Sequence, residues 1–157
     1  METVITHNKA TAPARWREIA LRMLTYPLSA LFAMAAATKV MEYATYRSYL
    51  HTSGLMGEGA AFWVSVGLPA AELAAAALLA WPMTRRVGLF ATVALLPGYH
   101  YYVYHALNKA IFLPCGCLGA LPIAWEQHYT LNITVLCAAL AALVLQYTVQ
   151  RWKHGKR

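Results

Sequence analysis

Charge is scarce in this chain. Of its 157 residues only 12% are charged and 60% are hydrophobic, whereas soluble domains carry about 25% charged residues. With a mean hydropathy of +0.44, a water-soluble domain is excluded and the chain is read as living in a bilayer. Internal repeats are missing too. So are low-complexity segments, apart from alanine-rich helix interiors, which leaves no solenoid and no polar tract to explain. Cysteine is limited to three residues.

What is present is four apolar stretches, Met23–Tyr43, Ala60–Trp81, Val87–Leu107 and Tyr129–Val149, with no fifth. Each can cross a hydrocarbon core of about 30 Å at about 1.5 Å per residue. Backbone groups in lipid must be satisfied within their own segment, so each stretch is expected to be helical and the fold all-α, an integral membrane four-helix bundle.

Orientation follows from the basic residues. Lys9, Arg15, Arg17 and Arg22 precede the first stretch, Arg85 and Arg86 join the second to the third, and Arg151, Lys153, Lys156 and Arg157 follow the fourth. Ten of the thirteen basic residues thus fall on one side, which the positive-inside rule makes the cytoplasm, with both termini there. The net charge of +7 is accounted for by this topology and by anionic lipid headgroups, so no nucleic-acid partner is expected. The bilayer itself is.

Three regions result: a polar, basic segment 1–22, a four-span domain 23–149 and a basic cytoplasmic tail 150–157. Pro13 discourages helix before Trp16, and Ala14–Arg22 reads as an interfacial helix leading into the first span. A cleaved signal peptide is the rival reading of that first run, but its basic leader is long and the run reaches spanning length, so a retained helix is expected. His51–Gly59 is expected to be a short loop, and Trp81-Pro82 to close the second helix before a tight turn. Pro97-Gly98 should kink or loosen the third helix. Small residues predict close-packing faces at Ser29, Ala33 and Ala37 and at Gly67, Ala71 and Ala75.

The long connection Asn108–His128 carries Pro114-Cys115-Gly116-Cys117-Leu118-Gly119. On this topology it faces the exterior, in a bacterium the periplasm, where disulfides persist. A Cys-Gly-Cys pair closes only a small ring, far from the relaxed Cα separation of about 5.5–6 Å. Such strain makes a disulfide labile and exchangeable, so Cys115 and Cys117 are the candidate catalytic residues. Two plainer readings stand beside this one. The pair could hold a soft metal with His100, His105 or His128, or act as a structural staple, for instance through pairing of one cysteine with Cys137. Cys137 alone, deep in the last span, also reads as a small core residue.

Lys39, Glu42, Glu72, His100 and Asn132 all fall within the four stretches, where ionisable and polar groups are costly and so functional candidates. Glu72, about 18 Å from the outer boundary at helical rise, should pair with Lys39 or take up a proton. The pair could equally do no more than fix helix register, and Asn132 could be interhelical glue. In the run Tyr99-His100-Tyr101-Tyr102-Val103-Tyr104-His105, an interfacial aromatic belt explains most residues. His100 and Tyr101 still lie deep enough to meet a quinone headgroup.

Several of these features occur in a telling order: Lys39 late in the first span, Leu68-Pro69 followed by Glu72, Cys115-Gly-Cys117-Leu-Gly119 after the third span, and Trp125 followed by Asn132. Together they resemble the MauE/DoxX-like family of redox-associated four-helix membrane proteins over about Tyr26 to Val149. That family's motif usually reads Cys-Gly-Cys-Phe-Gly, and Leu118 stands here in place of Phe. The resemblance implies a place near periplasmic thiol–disulfide or quinone chemistry, with Cys115 and Cys117 as the redox pair and Lys39 and Glu72 as the intramembrane polar pair.

The expected function is therefore a membrane thiol–disulfide redox protein of the inner membrane. It would exchange disulfides with a thioredoxin-like periplasmic partner or within a larger membrane complex, a quinone being the candidate cofactor among Lys39, Glu72, His100 and Asn132. The rivals are a non-catalytic accessory subunit of a membrane oxidoreductase and a metal-handling protein.

Overall fold

The structure, a computed structural model, describes residues 12–108 and 125–154. They form five helices: α1 Ala12–Met41, α2 Tyr43–Thr52, α3 Glu58–Ala80, α4 Arg85–Asn108 and α5 Trp125–His154. The chain is all-α, as its sequence implies, with no strand among the described residues.

Three segments, Trp16–Met41, Glu58–Ala80 and Gln127–Arg151, are long and apolar enough to cross a membrane, and the chain is a multi-pass membrane protein. With 24 residues α4 has the necessary length, but the tyrosines and histidines of its second half keep it out of that group. On apolarity alone, three of the four expected spans pass.

Each long helix buries one stripe at three- and four-residue spacing, the signature of a helix packed along one face. On α1 the stripe includes Leu21, Leu28, Phe32, Ala35 and Lys39; on α3, Ala61, Ser65, Glu72, Ala75 and Leu79. On α4 it is Leu89, Thr92, Leu96, Tyr99 and Val103, and on α5 His128, Val135, Ala139, Ala142 and Val149. α1 packs against α3 and α5, and α4 against the same two. Leu28, Phe32, Ala76, Leu79, Leu89 and Ala139 share one core. Large apolar side chains such as Met23, Trp63, Leu73, Phe90 and Val144 are exposed on the outer faces, an arrangement suited to hydrocarbon as the surrounding solvent.

Several local expectations change. α1 begins at Ala12 with Pro13 inside it, because proline is tolerated in a first turn, where its missing N–H has no partner to lose. The Ala14–Arg22 segment is helical and leads without interruption into the first span. The predicted His51–Gly59 loop shrinks to Ser53–Gly57, because α2 occupies Tyr43–Thr52 and packs on α3 through Tyr46, Leu50 and Ala61. Glu42, at the joint between α1 and α2 with φ −105° and ψ 35°, is exposed rather than intramembrane core. α4 continues as helix on both sides of Pro97-Gly98, the point where a kink or loosening is expected.

The small-residue faces are half right. Ser29 Oγ donates to the Ala76 carbonyl at 2.8 Å across the α1–α3 contact, and Ala75 is fully buried. Ala37 and Gly67 point outward, since a rotation of about 100° per residue leaves Ala36 and Leu68 nearer the core. The polar segment before Ala12, the cysteine loop 109–124 and residues 155–157 lie outside the described residues.

Candidate functional site

Lys39 in the last turn of α1 and Glu72 midway along α3 occupy inward positions on their stripes, and each side chain is 1% exposed. Lys39 Nζ lies 2.8 Å from Glu72 Oε1 and also donates to the Ala35 carbonyl at 3.3 Å. From α4, the Tyr99 hydroxyl donates to the same Oε1. The ammonium sits 5.4 Å from the Tyr99 ring centroid and 5.9 Å from that of Tyr46, within cation–π range. Three helices thus converge on one carboxylate oxygen. Burying either charge alone in this environment would be prohibitive, and the pairing with additional donors is what makes it tolerable. Glu72 Oε2 has no hydrogen-bond partner among the described residues.

Two cavities adjoin the cluster. The larger, about 320 Å³, is lined by Lys39, Tyr46, Leu68, Gly98, Tyr99 and Tyr102, with Tyr49 and Leu50 of α2 on one side. Its volume and its mostly apolar wall with a few convergent polar groups match small-molecule sites in general. The smaller, about 30 Å³, is lined by Glu72, Tyr99, His128 and Asn132 among apolar neighbours. Tyr99 borders both. The residues lining the larger cavity include a lysine and four tyrosines, types that can donate to a ligand carrying acceptor oxygens on an apolar body.

Of the residues expected at the site, Lys39 and Glu72 meet directly, and Asn132 joins Glu72 at the smaller cavity. His100 does not join them. Its ring packs on Tyr129 of α5 with centroids 4.5 Å apart, and it lines neither cavity. Tyr101 is 63% exposed, as a lipid-facing belt residue would be, so it faces away from the cluster. Cys115 and Cys117 lie outside the described residues. Cys137 is exposed on α5 rather than a core residue. Among the described residues no group of three His, Cys, Asp or Glu is arranged to hold a metal.

Tyr99 is the residue that sequence reasoning missed. A tyrosine at a membrane boundary suggests the aromatic belt, yet the spacing Leu89, Thr92, Leu96, Tyr99, Val103 already assigns it to the inward stripe. His128, 2% exposed, enters the sequence reading only as a loop-end candidate metal ligand, because α5 starts earlier than the apolar run that suggests it.

A family model described as methylamine utilisation protein MauE matches residues 17–145. No curated protein and no solved structure matches the chain.

Proposed function

The chain belongs to the MauE family of methylamine utilisation proteins, and on that premise we propose that it is a membrane-embedded thiol–disulfide redox protein serving the maturation of a periplasmic client. In this reading α4 is the fourth span of a four-helix bundle whose two termini are cytoplasmic, the membrane is the bacterial inner membrane, and Cys115 and Cys117 stand on the periplasmic side.

One cysteine thiolate attacks the disulfide of a thioredoxin-like partner, giving a mixed disulfide and one partner thiolate. The second cysteine then attacks its neighbour's sulfur, which leaves a Cys115–Cys117 disulfide and a partner dithiol. The exchange is reversible. A quinone held beside Lys39 and Tyr102 in the larger cavity would supply the two-electron, two-proton chemistry needed to return the pair to its starting state. Lys39 and the cavity tyrosines other than Tyr99, whose hydroxyl donates to Glu72, would be the hydrogen-bond donors to the quinone oxygens. His100 has no direct role.

The observation that carries this reading is the fully buried Lys39–Glu72–Tyr99 cluster beside a ligand-sized cavity, in a chain that also bears Cys-Gly-Cys. Trapping tests it. Cys115→Ser or Cys117→Ser, expressed with the native periplasmic proteins, should accumulate a reducible adduct of one partner, because the resolving thiol is gone. If neither variant forms one and the wild-type thiols ignore the cellular redox state, exchange is wrong.

The Lys39–Glu72 ion pair would also suit a non-catalytic accessory subunit, where it fixes helix register alone. In that case a purified complex keeps its activity when both cysteines are serine.

A further inference from the structure

Two buried polar atoms belong to residues that line one small space. Glu72 Oε2 and Asn132 Nδ2 are both shielded from solvent, and neither has a hydrogen-bond partner among the described residues. Both residues line the same cavity of about 30 Å³. As a carboxylate, Glu72 offers an acceptor there, whereas the Asn132 amide nitrogen is a donor only. A water molecule is both. It requires roughly 10–15 Å³ of such space and two or more polar partners; the cavity has the room, and Glu72 and Asn132 are the candidate partners among its lining residues.

We propose that the small cavity binds one water molecule, which donates to Glu72 Oε2 and accepts from Asn132 Nδ2. The water completes the hydrogen bonding of the carboxylate, whose Oε1 is already taken by Lys39 and Tyr99. It also carries the cluster across to α5. The result is a hydrogen-bonded line from the wall of the larger cavity, through Tyr99 and Glu72, to Asn132, with His128 beside it at the end of α5 that follows the Cys115–Cys117 segment. Glu72 thereby gains a group with which it can exchange a proton on the side away from the larger cavity. No bond other than O–H changes in such an exchange. The water site is independent of what the larger cavity holds, so it stands or falls separately from the redox reading.

The test uses the full-length protein in lipid discs. An experimental structure fine enough to resolve ordered water should contain a density peak within hydrogen-bond distance of both Glu72 Oε2 and Asn132 Nδ2. Asn132→Leu, which removes the donor and displaces the water, should lower the thermal midpoint by about 2–4 °C. In a Lys39→Met/Glu72→Met background, where no carboxylate needs hydrating, the same substitution should lower it by no more than about 1 °C. Three results would overturn the water site: no density peak, Oε2 bonded directly to a side chain, or an Asn132→Leu midpoint that rises or falls equally in both backgrounds. A rise is what filling a dry gap gives, and an equal fall is what overpacking gives. The wild-type density decides the matter even if a variant fails to fold.

Discussion

Two glycines ten residues apart on α4 sit in opposite surroundings. A Cβ on Gly88 would lie 2.7 Å from the backbone nitrogen of Leu79 and 2.9 Å from the carbonyl carbon of Leu78, whereas a Cβ on Gly98 would meet nothing within 4 Å. Near the α3–α4 turn, backbones touch and the core is mostly apolar, with Leu21, Ala76, Leu79 and Leu89 all nearly sealed, although Thr25 and Arg85 are buried as well. Just past the midpoint of α4, the same helix borders an open cavity and a buried ion pair. In lipid there is little hydrophobic drive between helices, so close backbone approach at one end does the holding. That frees the other end to keep space and an ion pair.

The largest way to break this contrast is to remove half of the ion pair. Lys39→Ala or Glu72→Ala leaves an uncompensated buried charge and should cost about 3–5 kcal/mol, whereas the double substitution to methionine should cost far less. Thermal unfolding in lipid discs reads the difference, and a double variant as unstable as the single ones would mean that packing at these positions, not charge, sets the stability.

Next comes Gly88→Val at the closed end. Forcing a branched side chain against the α3 backbone should cost about 1–3 kcal/mol, visible as a lower thermal midpoint with no change in quinone affinity. A neutral result would show that α3 and α4 are not pressed together there.

Smallest in stability, yet sharpest in function, is Gly98→Leu. With open space around it, the new side chain should change stability by less than about 0.5 kcal/mol. It should nevertheless weaken binding of a short-tail quinone at least about tenfold, equivalent to about 1.4 kcal/mol, measured by titration in discs. Unchanged affinity would remove the larger cavity as the quinone site.

Much of this architecture is legible in the sequence. Apolar runs give the long helices because lipid admits little else. Lys39 and Glu72 announce each other, since neither is affordable alone in hydrocarbon. α2 is hidden because continuous apolarity marks only spans, and Tyr43–Thr52 buries just Tyr46 and Leu50, an i, i+4 pair on one face. His100 and Tyr99 exchange roles for a related reason. They differ by one residue, hence about 100° of rotation, and residue type favours the histidine while only the helical phase can single out the tyrosine.

Because Tyr99 borders both cavities, its side chain is a shared wall of a two-room interior. Any smaller side chain there would do more than delete a hydrogen bond to Glu72. It would enlarge both spaces at once, the ligand-sized chamber and its narrow annexe.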